Sequence, residues 1–262
     1  MFHIIAHIES VDAAGAYNDL TPALGDQTIR TQGDRSFVPA WPFLAAAAFG
    51  VGSGGQGNGR IETPSLLSNL GRYYIGAVNG RNDGHVVPDS PHKIQDRRVN
   101  PIPLKVGEGL LATIHSDTTA AARQWAVLFL SDGPIVPDTR PCFTMRGTGT
   151  QTVVALTWTS CTITFDENIP RGRYAIVGMR ARCVSCIAAR LVLPGVANRA
   201  GVLGCTAQTD YEHPMQRFGG LGSFGEWEDT DSFNMEFLCG AADTAQTVEI
   251  DFVKVRDGAG GA

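Results

Sequence analysis

The sequence predicts an all-β protein, built from antiparallel strands of the jelly-roll type. Three observations carry this. First, apolar residues come in short runs rich in β-branched and aromatic side chains, and Gly, Pro, Asp or Asn bound each run. The 31 glycines and 14 prolines among 262 residues supply turns for many strands. Second, "CTITFDENIPRG" alternates strictly: Cys161, Ile163 and Phe165 point one way, Thr162 and Thr164 the other. Third, no helix-length segment separates the apolar runs between Thr152 and Val255, which excludes parallel βαβ units. Eight short antiparallel strands in about a hundred residues suit a jelly roll.

The elements follow in order. "FHIIAHIE" reads as a strand, with Phe2, Ile4 and Ala6 on one face and His3, Ile5 and His7 on the other. "NDLTPALGDQTIRT" is turn-rich. "PAWPFLAAAAFG" predicts a short helix, because Ala and Leu favour helix and Gly50 can end it. "VGSGGQGNGR" is a glycine loop without the Lys-Ser/Thr of a phosphate loop. "TPSLLSNLGRYYIGAV" predicts a second helix, with Thr63 as N-cap and Pro64 at the first helical position. Residues 79–103, polar and proline-bearing, read as a long surface connection.

From residue 104 the pattern becomes strand after strand. "LKVGEGLLATIHS" and "RQWAVLFLSDGP" read as two strands joined by a polar Ser/Asp/Thr turn. "TVVALTWTS", "CTITF", "RYAIVGMRA", "IAARLVLP", "GVLGCTA", "GSFGEWE", "FNMEFLC" and "QTVEIDFVKV" then supply eight. In the last, Val248, Ile250 and Phe252 are expected in the core, with Thr247, Glu249 and Asp251 outward. Its expected partner is "TVVALTW". The segments "VGEGLLATIHSDTTAAARQWAVLFLSDGP" and "IPRGRYAIVGMRARCVSCIAARLVLPG" share a layout of glycine turn, strand, polar turn and strand. Such an echo fits two barrels in tandem or two ordinary hairpins.

Charged residues are 18% of the chain, below the roughly 25% usual in soluble domains, and hydrophobic residues are 43%. That balance suits a large core and surfaces that meet partners. A formal net charge of −5 argues against coating nucleic acid through charge. The opening "MFHIIAHIESVD" lacks a basic segment followed by a long apolar one, so no secretory signal is expected. No apolar run reaches the roughly 20 residues of a membrane span.

Chemistry is sparse. All six cysteines lie between Cys142 and Cys239 and are expected to be reduced. Cys183 and Cys186 form a Cys-x-x-Cys at a turn between strands. A structural zinc site needs four ligands, usually two such pairs, and the sequence has no second pair. A redox pair would want a following helix to lower the first thiol's pKa. The pair therefore reads as packing within a tight turn, free of metal. "GEWEDTDSFNMEF" gathers Glu226, Glu228, Asp229, Asp231 and Glu236 around Trp227. It reads as a solvated acidic turn. Calcium ligation by Asp229 and Asp231, or a Glu226–Glu236 acid–base pair, are the sharper alternatives. His3 and His7 share a strand face about 13 Å apart, too far for one metal. "HKIQDRRVN" holds His92, Lys93, Arg97 and Arg98 in a solvated loop interrupted by Asp96. No catalytic, cofactor-binding or metal-ligating residue is assigned, and no enzyme, cofactor or small-molecule substrate is expected.

The run "FDENIPRGRYAIVGMRARCVSCIAARLVLPG", then "RAGVLGCTA", then "RFGGLGSFGEWEDTDSFNMEFLCGAADTAQTVEIDFVKV" resembles the C-terminal barrel of major capsid proteins from tailless icosahedral phages. Those with two barrels per chain are the double jelly-roll type. "GDQTIRT", "ETPSLLS" and "IPLKVGEGLLATI" are compatible with the N-terminal half. The resemblance implies an N-terminal jelly-roll-like domain over residues 1–140, with helices and long loops, and a C-terminal eight-stranded jelly roll over 141–262. It also implies a structural capsid protein that forms homotrimers, which tile an icosahedral shell. Its partners are then copies of itself, other capsid proteins such as those at vertices, and an internal membrane or genome. Its place is the virion, assembled in the host cytoplasm. The competing reading is a carbohydrate-binding or carbohydrate-active jelly roll. Against it, Trp41, Trp125, Trp158 and Trp227 are scattered rather than gathered into a sugar platform.

Overall fold

The computed structural model describes residues 1–9, 16–50, 57–69, 73–76, 94–116, 124–205 and 212–257. Strands dominate it. The first group is β1 (Phe2–Glu9), β2 (Tyr17–Pro22), β3 (Thr31–Gln32), β4 (Arg35–Phe37), β5 (Phe43–Gly50), β6 (Gly57–Glu62), β7 (Tyr73–Gly76), β8 (Gln95–Asp96), β9 (Ile102–Pro103), β10 (Gly109–Ser116) and β11 (Gln124–Ser131). A short helix, α1 (Pro64–Asn69), sits between β6 and β7. The second group is β12 (Phe143–Gly149), β13 (Thr159–Phe165), β14 (Gly172–Arg182), β15 (Cys186–Val192), β16 (Gly201–Leu203), β17 (Gly225–Glu228), β18 (Phe233–Cys239) and β19 (Gln246–Asp257).

The second group pairs as a chain folded double on itself. β12 pairs with β19, β13 with β18, β14 with β17 and β15 with β16, all antiparallel. β14–β19 and β15–β18 contacts complete two leaves, β12-β19-β14-β17 and β13-β18-β15-β16. A short β12–β13 pairing joins the leaves. This is an eight-stranded jelly roll. Between the leaves lie Met145, Ile163, Tyr174, Trp227, Phe233, Met235, Phe237, Val248, Ile250 and Phe252. The Phe252 ring stands within 5.7 Å of Phe165 and 5.9 Å of Trp227, at the middle of an aromatic cluster.

The first group repeats the scheme. β1 pairs with β11, β2 with β10, β5 with β8 and β9, and β6 with β7. β5–β11 and β6–β10 contacts build the leaves β1-β11-β5-β8/β9 and β2-β10-β6-β7, and β1–β2 joins them. The β3–β4 hairpin adds to β10. Ile5, Leu44, Phe49 and Leu128 of one leaf meet Leu20, Ile61, Leu110 and Ile114 of the other. The chain is therefore two jelly rolls in tandem.

The barrels share a core. The outer face of the first barrel's β1-β11-β5 leaf carries Phe2, Ile4, Ala6, Val127 and Phe129, which join the second barrel's apolar cluster. Phe2 meets Phe224 edge to face at 4.9 Å, and the Ile4 amide donates to the Arg199 carbonyl at 2.9 Å. Gly201 makes this approach possible, because a Cβ there would stand 2.4 Å from Ile4 Cδ1.

Several expectations change. "PFLAAAAFG" is not a helix but β5, a strand covered on both faces. Ala47 and Phe49 face the first barrel's interior, while Ala46 and Ala48 face the second barrel. A strand buried on both sides is continuously apolar, and periodicity cannot distinguish it from a helix. The second helix exists only as α1. Thr63 caps it, its hydroxyl accepting from the Leu66 amide at 3.2 Å, but Tyr73 and Tyr74 belong to β7. Residues 79–93 of the expected surface connection lie outside the described residues, and 94–103 contains β8 and β9. "TVVALTW" is not the first strand of the second barrel. It makes isolated bridges, Val153 with Asp243 and Ala155 with Cys239, while β12 takes the place beside β19. Two glycines and an arginine in "FTMRGTG" break the apolar pattern that marks a strand. Val248, Ile250 and Phe252 are buried as expected, but so is Asp251.

Candidate functional site

Three polar constellations are built into this scaffold. The first ties the barrels together. Arg190 on β15 is fully buried and reaches across to Asp26, with Nη1–Oδ2 2.7 Å and Nη2–Oδ1 3.1 Å. Its Nε donates to Glu236 at 2.6 Å, its Nη1 donates to the Ile4 carbonyl at 3.3 Å, and its guanidinium stacks over Trp158 at 4.1 Å. Burial would raise the Asp26 carboxyl, but hydrogen bonds and charge from Arg190 hold it below its ordinary value. Beside it, the Arg199 amide donates to His3 Nδ1 at 2.8 Å. His3 Nε2 then carries the proton and donates to Thr28 Oγ1 at 3.2 Å, and Thr28 donates to Asp26 Oδ1 at 2.5 Å. His3 stacks on Trp41 at 4.5 Å. Burial first, then Arg190, lower its pKa to about 3. His7, entirely buried opposite the Ser36 hydroxyl, is lowered to about 4 by burial.

The second constellation belongs to the second barrel alone and lies on the outer face of β19. Asp251 accepts from Arg217 Nε at 2.8 Å and Nη2 at 2.9 Å, from Thr144 Oγ1 at 2.6 Å and from the Phe218 amide at 2.9 Å. Arg217 also reaches Glu212 and Glu249. The loop passes so close to β14 that a Cβ on Gly178 would stand 2.7 Å from the Phe218 amide nitrogen and 2.9 Å from Arg217 Cα. This is a satisfied buried ion pair.

The third is a thiol cluster. Cys183 and Cys186 flank the β14–β15 turn as the sequence indicates, and the fold adds Cys239 from the end of β18. The three sulfurs lie within 4.8 Å of one another, all buried. Hydrogen bonds from Cys183 and Cys186 draw the Cys239 thiol down to about 5. All six cysteines are free thiols. The sequence hides this grouping, because only the β15–β18 register sets Cys186 opposite Cys239.

The residues singled out in the acidic turn do not converge. Glu226 pairs with Arg173 at 2.5 Å and Glu228 with Arg256. Asp229 accepts from the Gly172 amide at 2.8 Å, and the Asp231 carbonyl accepts from Trp227 Nε1 at 3.1 Å. Glu226 and Glu236 stand on different leaves. In the basic stretch, Arg98 pairs with Asp96 at 2.7 Å, and His92 and Lys93 lie outside the described residues. Trp125, Trp158 and Trp227 are buried.

No family model matches the chain, and no curated protein does. Among solved structures, the major capsid protein P2 from bacteriophage PM2 is similar. It is 12% identical with both chains covered over 100%, at a TM-score of 0.23. A likeness at that score carries no argument. The fold rests on the strand pairing described above.

Proposed function

We propose that this protein is a structural subunit of a viral shell, the major capsid protein of a tailless icosahedral phage. The observation that carries the proposal is the tandem of two jelly rolls with the same nested pairing, locked side by side by a shared core. A jelly roll of two packed sheets gives a stiff block whose end loops can vary to meet different neighbours. Two such blocks per chain let three chains present six similar barrels around one axis, a near-hexagonal tile. Closed symmetry of that kind is the usual route to larger assemblies. The polar side chains described above are engaged in ion pairs and hydrogen bonds within the subunit, which suits a scaffold. We propose the two barrels as domains, residues 1–140 and 141–262, and the homotrimer as the unit that tiles the shell in the host cytoplasm. Shell proteins at vertices, and a membrane or genome beneath the shell, are the further partners. The buried tryptophans give no support to the carbohydrate reading.

Sedimentation velocity and negative-stain microscopy on the purified protein test this. Trimers at micromolar concentration, with shells or sheets at higher concentration, are expected. A monomer at every concentration overturns the proposal.

A further inference from the structure

We infer that Cys183, Cys186 and Cys239 form a zinc site that pins the β14–β15 turn to the end of β18. Among the described residues, one group of three or more His, Cys, Asp or Glu brings its ligand atoms together, and this is it. The sulfurs lie within 4.8 Å of one another. Thiolates around zinc at about 2.3 Å stand roughly 3.8 Å apart in a tetrahedron, so small side-chain rotations close the site. The inference is independent of the shell proposal, and it departs from the metal-free turn that the sequence suggests.

The backbone on both sides is already fixed. Ser185, inside the Cys-x-x-Cys, has φ 54°, and the Cys186 amide donates to the Cys183 carbonyl at 3.3 Å, so the turn presents both sulfurs to one side. The Val184 amide donates to Asp243 Oδ2 at 2.7 Å, and the Gly240 amide donates to the Ser185 carbonyl at 2.8 Å. These bonds clamp the turn onto the segment that carries Cys239. Cys186 and Cys239 face each other directly in the β15–β18 register.

A disulfide would use two sulfurs and strand the third, whereas a thiophilic ion uses all three. Zinc suits the set because it accepts three protein ligands and one from solution. Each thiol gives up its proton to solvent as its zinc–sulfur bond forms, so binding is tighter at higher pH.

The test uses the whole chain, purified under reducing conditions. Metal analysis and titration with Zn²⁺, and with Co²⁺ as a spectroscopic probe, should give about one ion per chain and a sulfur-to-cobalt charge-transfer band. Cys186→Ser and Cys239→Ser should each lose the ion, while Cys161→Ser, with its sulfur in the second barrel's interior, should keep it. Should a ligand variant fail to fold, protection of three thiols from alkylation by Zn²⁺ in the wild-type chain reads the same property. Three outcomes overturn the site: no ion bound at excess Zn²⁺, a disulfide among the three cysteines in the native chain, or an ion retained undiminished by a folded Cys239→Ser.

Discussion

Arg190 is the side chain on which the union of the barrels turns. It is a guanidinium with no exposure to solvent, and it is held by carboxylates from both barrels, Asp26 and Glu236. Removing one member of such a group leaves an uncompensated buried charge, which typically costs about 3–5 kcal/mol. Arg190→Met should therefore lower unfolding stability by about 3–5 kcal/mol in urea titrations. Asp26→Asn, which keeps shape and some hydrogen bonding, should cost less. The double variant should lose less than the sum, because the two residues share one interaction. If Arg190→Met stays within about 0.5 kcal/mol of the wild type, the ion pair does not tie the barrels. Asp251 teaches a related lesson. Alternation places it outward with Glu249, yet Arg217 folds back over β14 and buries it, so the strand's outer face becomes a second small interior.

At the scale of the element, β5 shows how tertiary context overrides propensity. Its alanines favour a helix, but the segment hydrogen-bonds to β11 on one side and to β8 and β9 on the other. It is covered by its own barrel beneath and the other barrel above. Small side chains are what such a doubly covered strand needs, because larger ones would hold the barrels apart. Ala48→Leu adds bulk at a fully buried position that faces the second barrel. Overpacking of that kind typically costs about 1–3 kcal/mol. Differential scanning calorimetry should show a lower melting temperature for Ala48→Leu, whereas Leu67→Ala, on an exposed face of α1, should change it little. Equal melting temperatures for Ala48→Leu and the wild type would mean that β5 is not packed on both faces.

For the whole molecule, acid is the expected weakness. His3 and His7 sit in the fold with pKa values of about 3 and about 4, against 6.5 in the unfolded chain. The unfolded chain therefore takes up their protons first as pH falls. Their contribution is complete above about pH 6.5 and is lost progressively down to about pH 4 for His7 and about pH 3 for His3, on the order of 3 kcal/mol for His7. Asp26, held below its ordinary value by Arg190, adds a further loss at still lower pH. Protonated His3 can no longer accept from the Arg199 amide, so acid also weakens a contact between the barrels. Urea midpoints measured from pH 7 to pH 4 should fall steeply for the wild type and more gently for His7→Gln. Parallel slopes for the two would remove His7 as a cause.

The sequence by itself determined the class of this protein and much of its second barrel. Short apolar runs between turn residues, with the two-residue alternation of "CTITF" and "QTVEIDF", by themselves place Cys161, Ile163, Ile250 and Phe252 in a core. That signal is local, because each residue reports which face of its own strand meets water. The first barrel was less legible for the same reason. Where both faces of a strand are covered, as in β5, there is no wet face to report, and the run of alanines reads as a helix. Tertiary structure alone decided which distant residues meet. Arg190 and Asp26, Asp251 and Arg217, and Cys239 beside Cys183 and Cys186 are joined by strand register and by the packing of one barrel on another. Neither leaves a periodic mark on the chain, because a contact between remote segments constrains their geometry and not the spacing of residues within either one.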